Sequence, residues 1–133
     1  MSLPSELDQP RLLLVDDDPA FIRIVELVLQ TRVDLQFVED PNMALRTALT
    51  FRPDLVVCDM SMPGMSGTDV FALLQDEERT RHITFALITG YMDESEGPLE
   101  RARSAGIKHI IRKDQDLASL MESILSLLSP DTE

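Results

Sequence analysis

Short apolar runs alternate along the chain with stretches whose apolar residues recur every three or four positions. The first run is RLLLV (11–15); DDDP follows, and then FIRIVELVLQ, in which Phe21, Ile24, Val25 and Val28 keep helical spacing. The pattern predicts a strand, a turn and a helix, with Pro19 near the first helical position. DLQFV (34–38) predicts a second, weaker strand, and Asp40-Pro41 opens a helix carrying Ala44, Leu45, Ala48 and Leu49, with Asp40 read as its cap. Pro53 interrupts that helix before LVVCD (55–59), the third strand. Gly67 precedes a helix with Val70, Phe71, Leu73 and Leu74, which DEERTRH closes before FALIT (85–89), the fourth strand. PLERARSAG is a short helix from Pro98 to Gly106; its apolar face is poor, so it is expected to be the least firmly packed. HII (109–111) is a short fifth strand, and Leu117, Leu120, Met121, Ile124, Leu125 and Leu128 give the last helix the clearest apolar stripe, with Asp116 as its cap.

Strands alternating with helices imply a parallel sheet covered on both faces, because each right-handed crossover consumes a helix's worth of chain. The expected fold is a doubly wound α/β sandwich of the flavodoxin-like kind, with five strands in the order 2-1-3-4-5. Residues 10–129 form the one domain, residues 1–9 read as a disordered leader and 130–133 as a tail. A chain of 133 residues has room for a single core, removing about 70% of its extended surface from water.

Composition narrows the class. No apolar run approaches the roughly 20 residues of a membrane span, and MSLPSELDQP lacks a signal peptide's basic start and apolar stretch, so a soluble cytoplasmic protein is expected. The formal charge of −12 repels phosphate backbones, which argues against nucleic-acid binding by this domain alone, while attracting divalent cations. The single cysteine, Cys58, lies inside an apolar run and reads as a buried small hydrophobe. His82 and His109 lack metal-ligand spacing, and Met60, Met62 and Met65 read as loop packing.

The candidate chemistry stands at the strands' carboxyl ends. Asp16, Asp17 and Asp18 follow the first strand, Asp59 ends the third, Thr89 the fourth, and Lys113 follows the fifth. In a parallel sheet of this order the first and fourth strands both flank the third, so these residues share one rim, with Asp59 at its centre. Three carboxylates this close repel, and a hard dication such as magnesium is the ordinary remedy. A lysine offers a point charge to a phosphate oxygen and a threonine hydroxyl a neutral hydrogen bond. An aspartate can then act as a nucleophile and carry a phosphoryl group as a mixed anhydride.

Over residues 11–129 the chain resembles the receiver domain of two-component response regulators, of the chemotaxis-receiver kind, through LLLVDDDP, LVVCDMSMPGMSG, ALITG and the spacing from SAG to the lysine of IIRKD, all four in order. The resemblance implies Asp59 as phosphoacceptor, Asp16 and Asp17 as the acidic pair for Mg2+ with the Ser61 backbone carbonyl as a further ligand, Thr89 as the switch hydroxyl and Lys113 as the phosphate-pairing cation. Asp17 would bind the metal directly and Asp16 through water, and Asp18 has no such role beyond helping to start the first helix. It also implies a histidine kinase or phosphotransfer protein as donor, a downstream effector as target, and a signalling switch that assists its own phosphorylation and dephosphorylation instead of a turnover enzyme. The stripe of the last helix would suit a homodimer as well as core packing. The kinase, the stimulus and the output are not in the sequence, and the chain reads either as a stand-alone receiver or as one excised from a longer protein.

Three residues depart from the family pattern. Asp114 stands where a proline usually follows the lysine, and because a cis bond before a non-proline residue costs about 2.5 to 4 kcal/mol, the Lys113–Asp114 peptide is expected to be trans. Ile110 replaces the usual aromatic, so switching would have to proceed by movement of the backbone after Thr89 and of the weak fourth helix. Tyr91, two residues beyond Thr89, is placed to slow loss of an acyl phosphate. Two rival readings remain at this stage: a magnesium-dependent phosphatase of the haloacid dehalogenase type, which leaves Asp59 without a role, and a pseudo-receiver that only binds a protein partner.

Overall fold

The structure, a computed structural model, describes residues 9–90 and 97–128. The elements follow in chain order: β1 (Arg11–Val15), α1 (Pro19–Leu29), β2 (Asp34–Val38), α2 (Ala44–Phe51), β3 (Leu55–Asp59), α3 (Gly67–Asp76), β4 (Thr84–Thr89), α4 (Gly97–Ser104), β5 (His109–Arg112) and α5 (Leu117–Leu128). All strand pairs are parallel and the order is 2-1-3-4-5, as the alternation of runs and helices predicts. Of the leader only Gln9 is described, its Nε2 donating to the Thr31 carbonyl at 2.9 Å; residues 1–8, the tail and Tyr91 lie outside the described residues.

Alternate residues of each central strand feed two separate cores, one per face of the sheet. Leu12, Leu14, Leu55, Val57, Ala86 and Ile88 meet α1 and α5; Leu13, Val15, Val56, Cys58, Phe85 and Leu87 meet α2, α3 and α4. β3 is buried at every position, which places Asp59 at the end of a strand with no exposed side. Cys58 is a packed thiol, and of the loop methionines Met62 is buried with Met60 and Met65 against it.

Local chemistry sets the helix starts. Asp18 accepts from the Ala20 amide at the head of α1, Ser66 and Asp69 form a reciprocal capping box on α3, and Asp116 accepts from the Ser119 amide on α5. Asp40 does cap, through the Asn42 amide, but the turn it opens (Pro41–Met43) is a 3-10 turn that leads into α2. α4 buries only Ala102, in keeping with its weak apolar face.

The face of α1 differs from the sequence reading. Phe21, Ile22, Val25 and Leu29 are buried, whereas Ile24 and Val28 are each 40% exposed. Both sets fit helical spacing, and periodicity alone does not say which of two adjacent apolar stripes meets the sheet. Likewise Leu117 and Leu73 lie on solvent faces of their helices. β4 begins one residue before, and β5 ends one residue after, the apolar runs that predicted them.

Gly67 is wedged behind β3: a Cβ there would lie 2.5 Å from the carbonyl oxygen of Asp59 and would also strike a methyl of Leu87. Its amide donates to Met60 at 2.9 Å, closing the loop after β3. Gly67→Ala is therefore expected to destabilise the domain by about 1–3 kcal/mol, read as a lower urea midpoint at unchanged slope.

Candidate functional site at the carboxyl rim

Parallel pairing in register brings the charged residues together. Val15 is paired with Cys58 and Asp59 with Ile88, so the residues one step beyond, Asp16 and Thr89, flank Asp59 on either side. Carboxylate oxygens of Asp16, Asp17 and Asp59 all lie within 4.8 Å of one another. This is the grouping that the strand order predicts, and its donors are hard oxygens suited to magnesium. Ser61 sits two residues past Asp59 in the exposed start of the loop to α3.

Asp16 is fully buried, and each of its oxygens has a partner: Oδ1 accepts from the Asp18 amide at 2.8 Å and Oδ2 from Lys113 Nζ at 3.0 Å. Burial raises its pKa above the ordinary range, while the Asp18 amide and Lys113 pull it back. Asp59 is 9% exposed, more enclosed than a residue at an open solvent rim. Burial first, then repulsion from Asp16, lifts its pKa from the ordinary 3.8 to about 6, with Lys113 opposing the shift. At neutral pH it is thus mostly ionised, yet a stronger base than a free carboxylate. The Cys58 thiol is pushed up by burial and by the two neighbouring carboxylates, which keeps it protonated and out of the chemistry.

Lys113 is held from several sides. Its backbone amide donates to the Thr89 carbonyl at 2.7 Å, tying the fifth strand's end to the fourth. Its ammonium reaches Asp16 and also lies 4.3 Å from the centre of the Phe21 ring, a cation–π geometry. Gly90 passes close beneath, since a Cβ there would sit 3.3 Å from Lys113 Cδ. Thr89 itself is 4% exposed at the end of β4. The residue after Lys113, Asp114, pairs with Arg112 through two contacts of 3.2 and 3.3 Å, and among the described residues no peptide bond is cis.

The Phe21 contact is one that sequence reasoning missed. As the first apolar residue of an amphipathic helix it reads as core, and nothing in its spacing marks a ring that also faces a cation.

Two outcomes follow from this geometry. The chain has only two lysines, so the Lys113 Hε resonances are expected upfield of those of exposed Lys108 through the ring current of Phe21; Phe21→Leu should remove the difference and Phe21→Tyr keep it. Asp59→Asn is expected to stabilise the metal-free domain at pH 7.5 by on the order of 2 kcal/mol in urea unfolding. Between the unfolded pKa near 3.8 and the native value of about 6 the native state binds more protons, so rising pH lowers wild-type stability across that interval. At pH 3.5 the advantage of the asparagine should be gone.

Comparison with known proteins agrees with this architecture. Residues 12–125 match the family model described as response regulator receiver domain. The response regulator PleD of Caulobacter vibrioides is 32% identical over 118 residues, 88% of this chain and 26% of that protein. The signal receiver domain of a signal transduction histidine kinase from Syntrophus aciditrophicus superposes with a TM-score of 0.79 at 26% identity, covering 93% of each chain. The receiver domain of the Pseudomonas aeruginosa sensor histidine kinase PA1611, described with a magnesium ion coordinated in its active-site cleft, shares the fold with a TM-score of 0.77 at 22% identity, over 90% of this chain and 98% of that one. The chain thus spans about a quarter of the length of PleD.

Proposed function

The chain belongs to the response regulator receiver domains of two-component systems, and from that premise we propose that Asp59 accepts a phosphoryl group from a phosphohistidine donor and that the acceptance switches a protein-binding surface. The observation that carries the reading is the convergence of Asp16, Asp17 and Asp59 within 4.8 Å beside an ammonium 3.0 Å from Asp16. In the proposed step an Asp59 carboxylate oxygen attacks phosphorus, the O–P bond forms as the donor's P–N bond breaks, and the imidazole leaves with that electron pair and takes a proton. Lys113, already held at the rim, exchanges Asp16 for an incoming phosphoryl oxygen. The Thr89 hydroxyl meets another, coupling the fourth strand's end to the modified rim.

Asp16, Asp17 and Asp59, with the Ser61 carbonyl, would hold a magnesium ion, Asp17 directly and Asp16 through water. When bound, the ion supplies positive charge against the phosphoryl oxygens and relieves the repulsion among the three acids. Water attacking the same phosphorus would return Asp59 to its free form, so the domain assists both its own phosphorylation and its dephosphorylation without turning over an external substrate.

The switching surface is assigned to α4, β5 and α5. α4 buries one side chain, so its position is held weakly enough to be biased by the state of the rim. With Ile110 half-buried on β5 and no aromatic ring there to rotate, the change travels through the backbone joining Thr89 and Lys113. The donor is a histidine kinase or phosphotransfer protein and the target an effector protein or domain; a cytoplasmic setting accords with the described helices, none of which is long and apolar enough to cross a membrane. The phosphatase reading is not favoured, because it leaves the acid at the centre of the rim unused.

Intact-mass measurement with acetyl phosphate and magnesium tests the assignment. Wild type should gain one phosphoryl mass, Asp59→Asn should gain none, and EDTA should suppress the gain. A wild type that stays unmodified, or an asparagine variant that is modified equally, rules Asp59 out.

A further inference from the structure

A cleft opens at the end of the sheet opposite the acidic rim, at the amino-terminal ends of β4 and β5 and against the end of α3. It encloses about 320 Å3, and its lining includes Arg81, His82, Lys108 and His109 over the nearly buried rings of Phe71 and Phe85, with no carboxylate among its lining residues. In a chain with 24 acidic residues against 12 Lys plus Arg, this concentration is out of keeping with the whole. Both histidines of the protein and one of its two lysines fall in one small concavity.

We propose that this cleft is a binding site for a small phosphate-bearing anion of pyrophosphate size, free or as the phosphate end of a nucleotide. Arg81 is held at the wall: its Nε donates to the Gln75 carbonyl at 2.7 Å and its Nη2 to the Asp76 carbonyl at 3.5 Å, and Gln75 Nε2 donates back to the Arg81 carbonyl at 3.1 Å. The guanidinium therefore covers the negative end of α3, which would otherwise repel an anion. Lys108 is exposed and forms no ion pair among the described residues. The acid that feels Arg81, Glu77, is engaged by Arg79 at 2.9 Å. Two imidazoles and the Thr84 hydroxyl add hydrogen-bonding groups at the wall.

The overall charge of −12 does not forbid the site. The strands are 4 to 6 residues long, so the acidic rim lies roughly 15–20 Å away, about two screening lengths at physiological salt. An anion in the cleft is governed by the groups around it. A volume of about 320 Å3 is at the lower end of the range for small-molecule sites and too small for a helix.

The site can be tested on the unphosphorylated protein, in EDTA, by following the two histidine Hε1 resonances during titration with inorganic pyrophosphate. The expected result is a saturable shift of both signals and of amides 81–85 and 106–109, with residues 59–61 and 89 unmoved. Adenosine diphosphate should shift the same set. A double variant at exposed positions, His82→Gln with Lys108→Gln, should weaken binding about tenfold or more. Shifts that rise linearly and match those from sodium chloride at equal ionic strength would overturn the proposal, as would shifts centred on Asp59 and Thr89. Saturation by a hexaglutamate peptide but not by pyrophosphate would overturn it in favour of an acidic protein partner.

Discussion

The rim depends on the enclosure of Asp16. A carboxylate with no exposed surface is costly to keep charged unless both oxygens are engaged, and here one accepts a backbone amide and the other an ammonium from a residue 97 positions away. That pair ties the end of β5 to the end of β1 across β3 and β4, in the register that the strand pairing sets. Asp59 lies beside this ion pair, and its elevated pKa follows first from its own burial and then from the charge of Asp16, with Lys113 opposing. The same crowding leaves three carboxylates whose oxygens lie within 4.8 Å of one another, a donor set that suits a hard dication.

The two faces of the sheet bury comparable cores but hold their helices unequally. On one, α1 and α5 contribute Phe21, Ile22, Val25, Leu29, Leu120, Met121, Ile124 and Leu128 to a continuous core. On the other, α4 contributes only Ala102. Burying one methyl group is worth well under what a leucine or phenylalanine provides, so displacing α4 costs little compared with displacing α1 or α5. The face that carries Phe21 and thereby Lys113 is the firmly held one, and α4 is the lightly held helix.

Much of this was legible in the sequence because the chemistry and the topology are both periodic. LVVCD announces a strand buried on both faces, and once its neighbours are known the strand order alone delivers Asp16, Asp17 and Asp59 to one point. What periodicity could not decide was orientation around an axis. Ile22 and Ile24 are equivalent to a pattern of threes and fours, and only packing against the sheet separates the buried one from the exposed one. Enclosure was also hidden: Asp59 reads as a rim residue, yet it is only 9% exposed. The gathering of His82 with the adjacent pair Lys108 and His109 into one cleft had no signal, since the two segments lie far apart in the chain and share no motif.

Asp114 also finds its place. A proline after the lysine would stiffen the turn covalently; this chain uses noncovalent ties. Arg112 and Asp114 grip each other across Lys113 in a two-point pair, Gln115 Nε2 donates to the Arg112 carbonyl at 2.8 Å, and Asp116 takes up the free amide of α5. The pair is 57% and 40% exposed, so it adds little to global stability. Its effect is local: it spans the one residue whose direction matters, while the Lys113 amide is pinned to Thr89 from behind and Phe21 bounds the ammonium in front. Contacts of this kind hold Lys113 toward Asp16 yet can be broken singly.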